Sequence, residues 1–136
     1  MKQVYIMSAI KSLNADYEHL QWLRLYCLDC EYKLSEDWIN HSLNIRGNKP
    51  YFKPAPNFDY MKVATNSIRD ADVLIFLMSE PSTFVLTMVR YALHLDRRII
   101  LICKSPSVIG RVDEGKDDLV EVCLLHEYKK RIKELI

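Results

Sequence analysis

The chain has 136 residues, the size of one domain, and can bury a core of its own without disulfides or metal. Its net charge is +1 with acids and bases mixed along it, which excludes the concentrated basic face of a nucleic-acid groove. No stretch approaches the roughly 18 apolar residues of a membrane span, and the apolar run over 4–10 is too short for a secretory signal.

The first element is a buried strand over 3–7, followed by a loop over 8–13. Asn14 is placed to cap a helix, with Asp16 and Glu18 in its positive first turn. Leu20, Leu23 and Cys27, with Trp22, Leu25 and Tyr26, give that helix an apolar face to about Asp29. A poorer strand is expected over 31–34. Residues 35–56 carry the weakest pattern. Gly47-Asn48-Lys49-Pro50 is turn chemistry, Pro50, Pro54 and Pro56 forbid a regular helix, and a short helix near 36–44 is the one element expected there.

Asn57 is placed to cap the next helix, whose buried face is Phe58, Met61, Val63, Ala64 and Ile68. After Asp72, the unbroken apolar run 73–78 reads as a central strand buried on both faces. Ser79-Glu80-Pro81-Ser82 is the loop at its carboxyl end, and Ser82 caps a helix over 83–95. Asp96 and Arg97 turn the chain into another buried strand, 99–103. A loop over 105–118 leads to a fifth strand, 119–124, and a terminal helix, 126–135.

This alternation predicts one α/β domain over residues 1–136. It is doubly wound and flavodoxin- or Rossmann-like, with a five-stranded parallel sheet in order 2-1-3-4-5 and helices on both faces. Ligands of such sheets sit beyond the strand carboxyl ends, at the switch between strands one and three. Here that crevice would be lined by Ser8, Ala9 and Ile10, by residues 79–82, and by Lys104 and Ser105.

Other chemistry is poorly supplied. Three glycines leave no room for a Gly-rich phosphate loop. Cys27 and Cys30 have CxxC spacing but lie near a helix end, whereas redox pairs open a helix. His19, His41, His94 and His126 are scattered with no i, i+4 partner, so no metal site and no cofactor are expected. Arg97-Arg98 and Lys129-Lys130-Arg131 read as solvated element ends. Four cysteines without a disulfide framework point to a reducing, cytoplasmic location.

Three segments resemble the nucleoside 2-deoxyribosyltransferase family and, more distantly, TIR domains. Val4-Tyr5-Ile6-Met7-Ser8-Ala9 is similar to the family's opening strand, and the run from Ser67 to Ile75 to its I-x-x-A-D entry to the third strand. Val89-Arg90-Tyr91-Ala92-Leu93, followed by Arg98-Ile99-Ile100, resembles its E-L-G-Y-A-L helix and next strand. The resemblance implies a carboxylate nucleophile that attacks an anomeric carbon. That glutamate would lie four residues before Ala92, where this chain has Met88, and a thioether cannot take the anionic role. The aspartate that family members often carry ahead of I-x-x-A-D would fall near Ala64, a second departure.

The leading expectation is therefore a deoxyribosyltransferase-like domain without standard glycosyl transfer. It would bind a nucleoside or nucleotide through Tyr5, Ser8, Ala9, Ser79, Ser82 and Met88. Tyr5 reads either as a sugar contact or as a core aromatic. Glu80 is the candidate catalytic carboxylate of an alternative N-glycosidase or transferase, or else a solvated loop acid. The helix 83–95 is apolar nearly all round. It is covered either by the 35–56 segment, with Trp38, Tyr51 and Phe52, or by a second copy. The resemblance leans toward a homo-oligomer, and a TIR-like self-associating scaffold is the second reading, ahead of the Glu80 enzyme.

Overall fold

The computed structural model describes residues 2–41, 43–46, 49–53, 58–105 and 116–136, with backbone alone at 41, 43–46, 49–52 and 117. In chain order the elements are β1 (Gln3–Ser8), α1 (Tyr17–Asp29), β2 (Lys33–Leu34), α2 (Trp38–His41), β3 (Leu43–Arg46) and β4 (Lys49–Phe52). Then follow α3 (Tyr60–Asp70), β5 (Val73–Met78), α4 (Thr83–His94), β6 (Ile99–Cys103), β7 (Val120–Leu124) and α5 (Tyr128–Leu135). Short 3-10 turns at Ile10–Ser12 and Asp117–Leu119 complete the path.

Five strands form one parallel sheet in the order β2-β1-β5-β6-β7. This is the expected doubly wound 2-1-3-4-5 arrangement. Its centre is fully apolar because it is covered on both faces: β5 from Leu74 to Met78 and all of β6 are buried. On one face α1 meets α5, where Tyr128 hydrogen-bonds His19 Nδ1 at 2.9 Å and stands edge-on to Trp22. On the other, α3 packs against α4.

The unforeseen element is the β3–β4 hairpin, a separate antiparallel pair running from Leu43 opposite Phe52 to Arg46 opposite Lys49. Pro50 sits in β4 opposite Ile45. Proline argues against a central strand, but each strand of a two-stranded hairpin is an edge. Gly47 and Asn48, read as turn chemistry, lie outside the described residues.

The outer edge of β1 has an unusual finish. β2 pairs with Gln3 and Val4 only, and Ser35 N–H reaches the Val4 carbonyl at 2.8 Å. Carbonyls two apart on a strand face the same edge, so Ile6 would be the next acceptor. The Trp38 indole N–H takes that place, donating to the Ile6 carbonyl at 2.6 Å from a ring 3% exposed. At the opposite end of the sheet, the Asp72 carboxylate accepts the Gln3 N–H at 2.7 Å and ties β1 to the start of β5.

The starts of α1 and α3 differ from expectation by two residues. Asp16, not Asn14, stands at the N-cap of α1, buried and without a side-chain capping bond. Asp59 caps α3 by accepting the Lys62 N–H at 3.1 Å, while Asn57 lies outside the described residues. On α3, Ala64, Ser67 and Ile68 are buried and Met61 is exposed. On α1, Leu20, Leu23 and Cys27 are buried whereas Leu25 faces solvent.

Helix α4 begins as expected, with Ser82 Oγ accepting the Val85 N–H at 3.2 Å. Its own chain buries Val85, Met88, Val89, Ala92 and Leu93 and half-buries Phe84, Leu86 and Tyr91. What it leaves exposed is the polar stripe Thr83, Thr87, Arg90 and His94. Lys116 Nζ donates to the Leu93 carbonyl at 2.9 Å and pairs with Asp96 at 3.1 Å, satisfying the negative end of the helix.

Candidate functional site

The crevice follows from the topology. The chain leaves β1 toward one side of the sheet and β5 toward the other, so their carboxyl ends part. Between them lies a cavity of about 410 Å³ with two walls. One is Ala9, Ile10, Lys11 and Ser12, the turn after β1. The other is Glu80, Pro81, Ser82, Thr83 and Phe84, the loop after β5 and the first turn of α4. A volume of this order lies within the roughly 300–1,000 Å³ usual for small-molecule sites.

The β1 wall is held by its own backbone. Ser12 N–H bonds the Ala9 carbonyl at 3.2 Å, Ser12 Oγ reaches the same oxygen at 3.3 Å, and Leu13 N–H bonds Ile10 at 3.4 Å. Leu13 is buried beneath, so Ile10 is turned outward and is 44% exposed. The second wall is set by the abrupt passage from strand to helix. Pro81 stops the strand, and Ser82 takes extended geometry as the N-cap.

Electrostatically the cavity is mixed. The Glu80 carboxylate is paired with Lys104 Nζ at 2.6 Å, both side chains being more than half exposed. The positive end of α4, which has no acid in its first turn, and Lys11 give the remainder a cationic bias. The apolar part is Ala9, Ile10, Pro81 and Phe84.

Of the residues expected at the crevice, Ala9, Ile10, Glu80, Pro81 and Ser82 line the cavity together. Ser8, the last residue of β1, and Ser79, just past β5, are buried and do not line it, and the Ser8 hydroxyl donates to the Ala9 carbonyl at 3.4 Å. Tyr5 lies three residues back along β1 and does not line the cavity. Burial above all, then Tyr60 and Glu36 nearby, pushes its hydroxyl far above the ordinary tyrosine range. Met88 is 2% exposed, one helical turn beyond Phe84, and belongs to the core rather than the cavity lining. Lys104 touches the site through Glu80.

Lys11, Ser12, Thr83 and Phe84 line the cavity without having been singled out from sequence. The available signal was positional: the turn and helix start that follow the two strands flanking the switch point border it.

The cysteines carry no such site. Cys27 and Cys30 are free thiols at the carboxyl end of α1, and burial pushes the Cys27 thiol up to about 12, the opposite of a redox-active thiol. Among the described residues no group of three or more His, Cys, Asp or Glu is arranged to hold a metal ion. No helix among them is long and apolar enough to cross a membrane.

Fold and crevice together define the class: a doubly wound α/β domain with a small-molecule-sized cavity at its switch point. The chain matches no protein-family model and no curated protein sequence.

Proposed function

We propose that this domain binds a nucleoside- or nucleotide-type small molecule in the cavity between the β1 turn and α4, and does not carry out standard deoxyribosyl transfer. The observation that carries the reading is the cavity itself. It lies where doubly wound sheets take their ligands, and it joins an apolar patch to hydroxyls, a lysine and a helix amino end. The three segments that resemble the deoxyribosyltransferase family lend independent support. The second half of the proposal rests on Met88, which puts a buried thioether where that family has its nucleophile.

Calorimetry with adenosine, uridine and their 5′-monophosphates tests the ligand. Saturable binding at micromolar to millimolar concentration is expected, and no heat at millimolar ligand would sink the reading. Chromatography of the same mixtures should show intact nucleosides. Glu80 is the one carboxylate among the described lining residues. Release of free base by the wild type, lost in Glu80→Gln, would therefore replace this reading with an N-glycosidase acting through Glu80.

A further inference from the structure

We infer that Phe84 and Ile10 form an apolar clamp for a planar heteroaromatic ring, so that the cavity recognises its ligand by the base rather than by the sugar. The inference rests on the proposed function and adds the orientation of the ligand and the part of it that is read.

The two side chains come from the opposing walls. Ile10 is a large apolar residue left 44% exposed beside a core that buries its neighbours Ala9 and Leu13. Its turn is held by backbone hydrogen bonds to Ala9 and Ile10, so its outward position is built in. Phe84 stands in the first turn of α4, half-buried against the core, with Met88 fully packed one turn further on. Phe84 is thus both packed against the core and part of the cavity lining. Pro81 adds a further apolar residue to the lining.

The polar lining residues Lys11, Ser12, Glu80, Ser82 and Thr83 complete the cavity. Such division suits an amphiphile with one flat apolar part and one hydroxyl-rich part. An aromatic face favours a planar π-system over a saturated ring, and stacked bases gain from it whatever their identity. The polar part of the lining is left for the ribosyl portion and any phosphate on it. A cavity of about 410 Å³ holds both portions at once.

The test is calorimetry on the full chain with adenosine, uridine and free ribose. Adenosine and uridine should bind and ribose should not. Phe84→Ala should weaken nucleoside binding by about 5- to 150-fold, the range typical of a lost base–aromatic stack. Phe84→Trp should retain binding. Ile10→Ser, at an exposed turn position outside the core, should weaken both nucleosides several-fold, which protects the test if Phe84→Ala proves unstable. Wild-type nucleoside binding that is unchanged in Ile10→Ser and Phe84→Ala would overturn the clamp while leaving the ligand reading intact. Ribose binding as tightly as adenosine would do the same. Absence of binding by all three would remove both.

Discussion

At the residue scale, Trp38 is the side chain whose role is least obvious and most consequential. Its indole N–H supplies the donor that β2, continued two residues past Ser35, would have given to β1. Removing it leaves the Ile6 carbonyl buried and unsatisfied. Trp38→Phe, which keeps most of the ring, should therefore cost about 1–3 kcal/mol in urea unfolding, the usual penalty for a stranded buried acceptor. A loss below a few tenths would mean that water or a shifted backbone replaces the indole. In the sequence, Trp38 belongs to a segment that is one of two alternatives for covering the helix over 83–95, the other being a second copy. Its actual task was not legible, because it depends on how soon β2 ends. The same holds for Glu80: its loop position could be read, but its partner Lys104 comes from the end of a different strand.

At the element scale, two helices end in the same way. After α1, Glu31 N–H bonds the Leu28 carbonyl and Tyr32 N–H bonds Cys27; after α4, Asp96 N–H bonds Leu93 and Arg97 N–H bonds Ala92. Each is a Schellman motif, with a left-handed residue just past the helix. That residue is usually glycine, yet this chain uses Glu31 (φ 65°) and Asp96 (φ 56°). A Cβ in this region costs about 1 kcal/mol or more. Glu31→Gly should accordingly raise unfolding stability by about 1 kcal/mol, less the added freedom of the unfolded chain, while leaving the helix content of circular dichroism unchanged. A decrease would show that Glu31 contributes something beyond its backbone. Asp96 is the poorer target because it also pairs with Lys116. Helix starts were harder to place than ends. Asn14 and Asp16, like Asn57 and Asp59, are all competent caps, and packing of the first apolar turn chooses among them.

At the scale of the whole molecule, the sheet order was readable because unbroken apolar runs over 73–78 and 99–103 leave little choice but central parallel strands. The hairpin was not, since Pro50 within β4 obscured the pairing. The same dense core makes a prediction about pH. Burial raises the Cys27 thiol from an ordinary 9 to about 12, and Tyr128 from 10 to about 12, with Tyr5 shifted the same way. Below pH 9 these groups are protonated in both folded and unfolded chains, so they add no pH dependence. Above it the unfolded chain releases protons that the folded chain still holds, and stability falls as pH climbs toward 12. The thermal midpoint should therefore drop steadily from about pH 9 upward, and Cys27→Ala should lessen the slope. A midpoint that is flat to pH 11 would contradict the burial of these groups.

The walls of the cavity come from segments about seventy positions apart in the chain, at 9–12 and 80–84. A molecule lodged between them would act as a removable staple, fastening the exit of the first strand to the head of the central helix. Occupancy would then set how often these two stretches part from one another. By mass action, a ligand at a hundred times its dissociation constant adds about 2.7 kcal/mol to the folded state. The domain would thus register its ligand as a change in its own durability, with no moving part and no chemical step.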